Sequence, residues 1–303
     1  MNRTDWHGVI PAITTPFTPD LTIDHAFVRE HVSALLAAGC RGIVTPGSLG
    51  EGATLSRDEK IALWKTCIQA AGARTPVIAA IASASTADAV RLAQDAKAAG
   101  CRGLMVLPPY LYKGAWRETR AHFAAIFRAT DLSCMLYNNP IAYGVDTTPE
   151  QIAELAATHP NLHAVKESSA DVRRIHAIRA VLADRLAIFM GVDDALVEGV
   201  QAGAVGWIAG LVNALPRESV MLFELARKGP SAELDRLYHW FLPLLRMDVT
   251  YDFVQLIKLV QAEAGLIGSG GPVTRPPRLL PEGAELESVR TAIRGAIRSR
   301  PAL

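Results

Sequence analysis

Lys166 is the residue whose type and setting first suggest chemistry. Of the seven lysines it alone lies inside a β-type apolar run, Leu162-His163-Ala164-Val165-Lys166. An ammonium in the wall of a sheet is costly unless it is paired or gives up its proton. A desolvated lysine is also the kind of amine that attacks carbonyl carbon. The run by itself leaves a second use open, a buried ion pair with Glu167 or Asp193.

Tyr137 closes another apolar run, 133–138, and its phenol could pass protons to a carbinolamine and then to substrate. A buried tyrosine bonded to backbone would have the same sequence. Gly47-Ser48-Leu49-Gly50-Glu51 follows a third run, and its two glycines let backbone N–H groups turn inward as a small anion nest. A plain turn would read the same way. The eight histidines show no metal-ligand spacing and no phosphate loop of the G-x-x-x-x-G-K type occurs, so neither a metal nor a cofactor is expected. The four cysteines form no close pair and read as small buried thiols.

These residues need a scaffold that brings distant strand ends together. Short apolar runs recur at 8–15, 42–47, 76–82, 103–108, 133–138, 162–167, 186–191 and 204–210, each followed by an alanine-rich amphipathic stretch. Runs of this length without strict alternation suit strands buried on both faces. The near-repeat of Ala37–Ile43 in Ala98–Leu104 marks one βα unit, a helix stopped at glycine before the next strand. Thr86, Thr148-Pro149 and Ser56 with Glu59 offer helix starts.

Eight such units predict a (β/α)8 TIM barrel, with its chemistry at the C-terminal ends of the strands. An open doubly wound sheet is disfavoured because Gly8-Val9-Ile10-Pro11 stands where a dinucleotide fingerprint would begin. After residue 211, helical patterns at 216–227, 231–246, 250–264 and 283–298 predict the eighth barrel helix and then a C-terminal helical extension. The expected division is a catalytic barrel over 1–228 and an extension over 229–303 packed on it. A formal charge of +1 asks for no nucleic acid or membrane partner. The N-terminus reads as neither signal peptide nor span, so a cytoplasmic location is expected.

In order along the chain, Gly47-Ser48-Leu49-Gly50-Glu51, Tyr137-Asn138-Asn139-Pro140 and Val165-Lys166-Glu167 resemble the dihydrodipicolinate synthase / N-acetylneuraminate lyase family of class I aldolases. Thr14-Thr15-Pro16-Phe17 and Gly191 fit the same pattern, and the resemblance runs from about residue 6 to about 300. It implies that Lys166 forms a Schiff base with a small 2-oxo acid and that Tyr137 moves protons. It implies further that Ser48 and Leu49 hold the carboxylate through their N–H groups, with Gly191 beside them, in a homotetramer without cofactor.

Three departures bear on the substrate. Family synthases carry threonine where Leu49 stands and a tyrosine, reaching into a neighbouring subunit, where Leu111 stands. They also carry an arginine for the second substrate's carboxylate in the segment where Ala142 and Tyr143 follow Ile141. Gly-Ser-Leu-Gly-Glu, Leu111-Tyr112-Lys113, the Tyr137–Val145 stretch and Val192-Asp193-Asp194 instead resemble 1-pyrroline-4-hydroxy-2-carboxylate deaminases. That branch implies a compact substrate with one carboxylate, and Tyr143 is expected at the rim of the site. The alternatives are an aldolase or dehydratase of a sugar-derived 2-oxo acid, a 4-hydroxy-tetrahydrodipicolinate synthase, or a barrel that binds without turnover.

Overall fold

The computed structural model describes residues 1–302. Its strands are β1 (Gly8–Pro11), β2 (Ile43–Thr45), β3 (Val77–Ile81), β4 (Gly103–Val106), β5 (Ser133–Asn138), β6 (Leu162–Glu167), β7 (Ala187–Met190) and β8 (Gly206–Ala209). All pair in parallel, in the order β1-β8-β7-β6-β5-β4-β3-β2. A parallel bridge between Ala12 and Val44 joins the two ends of the sheet and makes it a barrel. β5 and β6 coincide with their apolar runs, and the other strands are shorter than theirs because those runs extend into the flanking loops. The run 8–15, for example, leaves the strand after Pro11.

The helices are α1 (His25–Ala37), α2 (Arg57–Ala71), α3 (Thr86–Ala99), α4 (Trp116–Arg128), α5 (Pro140–Tyr143), α6 (Pro149–Thr158), α7 (Arg173–Leu182), α8 (Leu196–Gln201), α9 (Pro216–Lys228), α10 (Ala232–Leu245), α11 (Phe253–Glu263) and α12 (Gly283–Arg298). Two of the three expected starts hold. Ser56 and Glu59 close a reciprocal capping box on α2, and Thr148 caps α6 ahead of Pro149. The third is corrected: Ser85, not Thr86, caps α3, its Oγ accepting from the Asp88 N–H. Thr86 takes helical backbone and turns its hydroxyl to His122 Nδ1. Gly39 and Gly100 adopt φ of 106° and 98°, so the repeated heptapeptides turn where only glycine turns easily.

Alternation along the strands sorts side chains into two cores. Ile10, Ala12, Ile78, Ala80, Met105, Met135, Tyr137, Ala164, Phe189 and Ile208 point into the barrel. Trp6 seals its floor, donating Nε1–H to Ser133 Oγ at 2.7 Å and packing edge-on against Phe189. The complementary set faces the helices. Leu234, Phe241, Leu244, Ile257 and Val260 from α10 and α11 join that outer core without a break.

Lys258 of α11 reaches the barrel rim, donating to Glu51 Oε1 at 2.6 Å and to the carbonyls of Thr15 and Val273. Glu51 sits at φ 54° in the loop after β2 and also accepts the Arg275 N–H at 2.9 Å. The extension therefore fixes the Gly47–Glu51 loop from outside. No helix among the described residues is long and apolar enough to cross a membrane.

Candidate active site

Ala164 points into the barrel, so Lys166, two residues on, emerges on the same face at the end of β6. It is 6% exposed, yet among the described residues it makes no hydrogen bond and no ion pair. Neither expected partner takes it. Glu167 faces the other way, accepting from Asn138 Nδ2 at 3.1 Å and from the Ser169 N–H at 2.7 Å. Asp193 accepts from Trp207 Nε1 at 2.9 Å and from the N–H groups of Gly210 and Leu211. What Lys166 does meet is Tyr137, its direct register partner on β5, with Nζ 4.2 Å from the ring centroid. A buried, uncommitted amine beside a phenol is equipped to add to a carbonyl and to have the resulting oxygen protonated away.

Lys166 opens into a cavity of about 280 Å³ whose walls include Ser48, Leu49, Tyr137, Tyr143 and Gly191, so every expected site residue arrives in one place. Gly47, Ser48 and Leu49 form one wall. The loop's internal bonds run from Glu51 N–H to Ser48 O and from Gly52 N–H to Gly47 O. They leave the Ser48 and Leu49 N–H groups without an acceptor among the described residues. The Leu49 side chain turns away and is buried in the outer core.

Tyr143 stands at the C-terminal end of the short helix α5. Its hydroxyl is hydrogen-bonded to Ser48 Oγ, and its ring meets Tyr137 edge-on at 5.8 Å and Tyr110 at 6.0 Å. Burial first, and then the neighbouring Tyr137 phenol, hold the Tyr143 hydroxyl well above the usual phenol range, so it remains a donor. Asn139 Nδ2 donates to the Tyr137 hydroxyl at 2.9 Å and orients it. Gly191 lines the cavity beside Lys166. A Cβ at Gly191 would lie 2.5 Å from Lys166 Cε and overlap Ser168 Oγ, so any other residue there displaces the lysine.

Several other strand-end residues turn out to be scaffold. Glu51 belongs to the Lys258 pair, Thr14 donates to Gln261 Oε1 at 2.8 Å, and Asn213 bonds His31 and the Ala12 carbonyl. Tyr110 lines the cavity, whereas Tyr112 is half exposed outside it. The four cysteines are buried, and burial pushes Cys40 and Cys101 up to about 12. Two residues escaped the sequence reading. Asp248, in the 3-10 turn Arg246–Val249, and Arg278 both line the cavity from the C-terminal extension. The rule that strand ends supply the chemistry does not look there, and a lone Asp between two amphipathic helices carries no pattern of its own.

The match to known proteins agrees with this geometry. The Dihydrodipicolinate synthetase family model matches residues 5–295. A 4-hydroxy-tetrahydrodipicolinate synthase of Methanoculleus marisnigri is 33% identical over 293 residues, covering 95% of this chain and 98% of that protein. An uncharacterized DapA-like lyase of Rhizobium meliloti is 31% identical, with 96% of both chains covered. Among solved structures, the 4-hydroxy-tetrahydrodipicolinate synthase of Methylacidiphilum fumariolicum superposes with a TM-score of 0.90 at 27% identity over 96% of both chains. YagE, an E. coli K12 prophage protein of the dihydrodipicolinic acid synthase family in complex with pyruvate, gives 0.89 at 25% identity over 96% of this chain and 99% of its own. The chain belongs to the dihydrodipicolinate synthase family of class I, lysine Schiff-base lyases and aldolases.

Proposed function

We propose that Lys166 forms the Schiff base with a small 2-oxo-acid-type substrate, and that the reaction is deamination of 1-pyrroline-4-hydroxy-2-carboxylate to 2,5-dioxopentanoate and ammonia. The observation that carries the Schiff-base role is the unpaired, buried Lys166 amine set against Tyr137 in a cavity that Ser48 and Leu49, with N–H groups free of acceptors among the described residues, also line. The substrate carboxylate sits on those N–H groups, with Ser48 and Tyr143 hydroxyls beside it. Lys166 adds to the ring C=N carbon and the ring opens, leaving the imine on the lysine. Loss of a proton at carbon 3 gives the enamine, which expels the 4-hydroxyl as water. A proton moves from carbon 5 to carbon 3, shifting the double bond so that carbon 5, by way of its enamine, becomes an imine carbon. Hydrolysis of that imine releases ammonia and hydrolysis of the lysine imine releases the dicarbonyl acid, two waters used against one expelled. Ala142 and Tyr143 at the rim suit a compact substrate with one carboxylate, and this feature favours deamination within the family.

A second reading, 4-hydroxy-tetrahydrodipicolinate synthase, has its own support. Relatives at about 30% identity carry that name. Arg278, which lines the cavity from the extension, could serve a second carboxylate where Ala142 cannot. Three assays separate the readings. Lysine-dependent ammonia release from 1-pyrroline-4-hydroxy-2-carboxylate, absent in Lys166→Ala, is the expected result. Pyruvate consumed only when a carboxylate-bearing aldehyde is supplied would replace the deaminase with the synthase. Pyruvate appearing as product from a sugar-derived 2-oxo acid would mark an aldolase. We further propose a homotetramer, as the family resemblance implies.

A further inference from the structure

We propose that Asp248 is the second acid–base residue of this site, carrying the proton exchanged at the carbon next to the Lys166 imine. The inference rests on the Schiff-base role of Lys166 and is independent of which substrate the enzyme prefers.

Three features of the fold carry it. First, Asp248 lies outside the barrel sequence altogether, yet its turn packs against the Asp193–Ala195 turn that follows β7, and it lines the same cavity as Lys166. Second, its carboxyl rests directly on Gly210, where any Cβ would overlap it, so a glycine at the end of β8 is what admits the acid. Third, Asp248 makes no hydrogen bond or ion pair among the described residues, whereas neighbouring Asp193 accepts from three N–H groups.

The contrast assigns states to the pair. N–H donors favour the charged form, so Asp193 holds the negative charge and Asp248 the proton. The groups around Asp248 are Asp193 and Asp194 on the turn after β7, Lys166 on β6, and Arg246 on its own turn, the last directed at Asp194 at 3.8 Å. Burial and then the Asp193 charge hold the Asp248 carboxyl well above the usual range, with Lys166 opposing. Going round the barrel, Tyr137 flanks the amine on the β5 side and Asp248 approaches from the β8 side. The imine thus has a proton-transfer group on each flank.

The step balances without any further reactant. Asp248 enters the cycle protonated and releases that proton to solvent once the cationic imine forms beside it. As carboxylate, it then takes a proton from the carbon next to the imine. The C–H pair becomes the C=C bond of the enamine, and the imine π pair moves to the Lys166 nitrogen. As carboxylic acid, Asp248 returns the proton to the same carbon.

The test is solvent exchange of pyruvate methyl protons in D2O, followed by NMR, in parallel with borohydride trapping of pyruvate read by intact mass. General acid–base groups contribute about 10²–10⁴-fold. Asp248→Asn should therefore slow exchange by about 100-fold or more while trapping stays within about twofold of wild type, and Asp248→Glu should restore part of the exchange. The wild-type pH profile of exchange should lose a limb in Asp248→Asn. Exchange at the wild-type rate in Asp248→Asn would overturn the proposal, as would loss of trapping in proportion to exchange, which would make Asp248 a positioning residue. A wild-type protein that traps pyruvate but exchanges nothing would overturn this proposal and leave the Schiff base standing. No trapping at all would overturn both.

Discussion

Lys166 could be found in the sequence because a lysine ending an apolar strand is physically anomalous, and the fold supports the inference by leaving its amine unpaired. Tyr137 was legible for a related reason, since its strand neighbours Lys166 and the register sets the two side by side. The same Tyr137 supports a prediction. Tyr137→Phe keeps the ring under Nζ but removes the hydroxyl, so kcat should fall by about 10²-fold or more with little change in thermal stability. Steady-state kinetics beside a melting curve checks this. Asp248 and Arg278 were not legible, because nothing local in the sequence says that the turn after α10 and the segment after α11 fold back to the cavity that Lys166 lines. That placement is made by the packing of α10 and α11, not by local pattern.

At the scale of elements, caps and strand runs were mostly readable because they are local. The capping box of Ser56 and Glu59 is one example, and the shift of the α3 cap from Thr86 to Ser85 shows the limit of one residue in such readings. The link between α11 and the loop after β2 is not local and was missed. Lys258 and Glu51 are 5% and 0% exposed at the side chain, so removing one partner strands the other's charge. Lys258→Met should cost about 3–5 kcal/mol in denaturant unfolding and should raise KM by loosening the Gly47–Glu51 loop.

A second link is pH-dependent. The Arg275 side chain, then the Ser56 N–H, hold Glu59 down to about 2 against the opposing effect of burial. Its folded pKa lies below the unfolded value of about 4.3. The pair therefore adds stability above that value and loses it as pH falls toward about 2. The wild-type melting temperature should drop over this window more steeply than that of Glu59→Gln.

For the whole molecule, the sequence supplied the (β/α)8 barrel and its helical extension, because eight repeated units leave few other architectures. The proposed division at residue 228 has a physical consequence, since side chains from both parts share one outer core. Phe241→Ala, at a fully buried position on α10, should cost about 3–5 kcal/mol and lower a single unfolding transition rather than split it. Two transitions would show the extension folding apart.

The proposed tetramer has a surface to explain. Leu111 is 82% exposed at φ 68°, and Ile141 and Tyr251 are large apolar residues that are exposed as well. Light scattering should give four times the 32.5 kDa chain mass, and Leu111→Glu should reduce it.

The most direct test of the central claim is borohydride reduction in the presence of pyruvate, followed by peptide mapping of the adduct. The account predicts one covalent adduct per chain, on Lys166, and none in Lys166→Ala. An unmodified wild-type chain, or an adduct that persists on another lysine when Lys166 is gone, would contradict it.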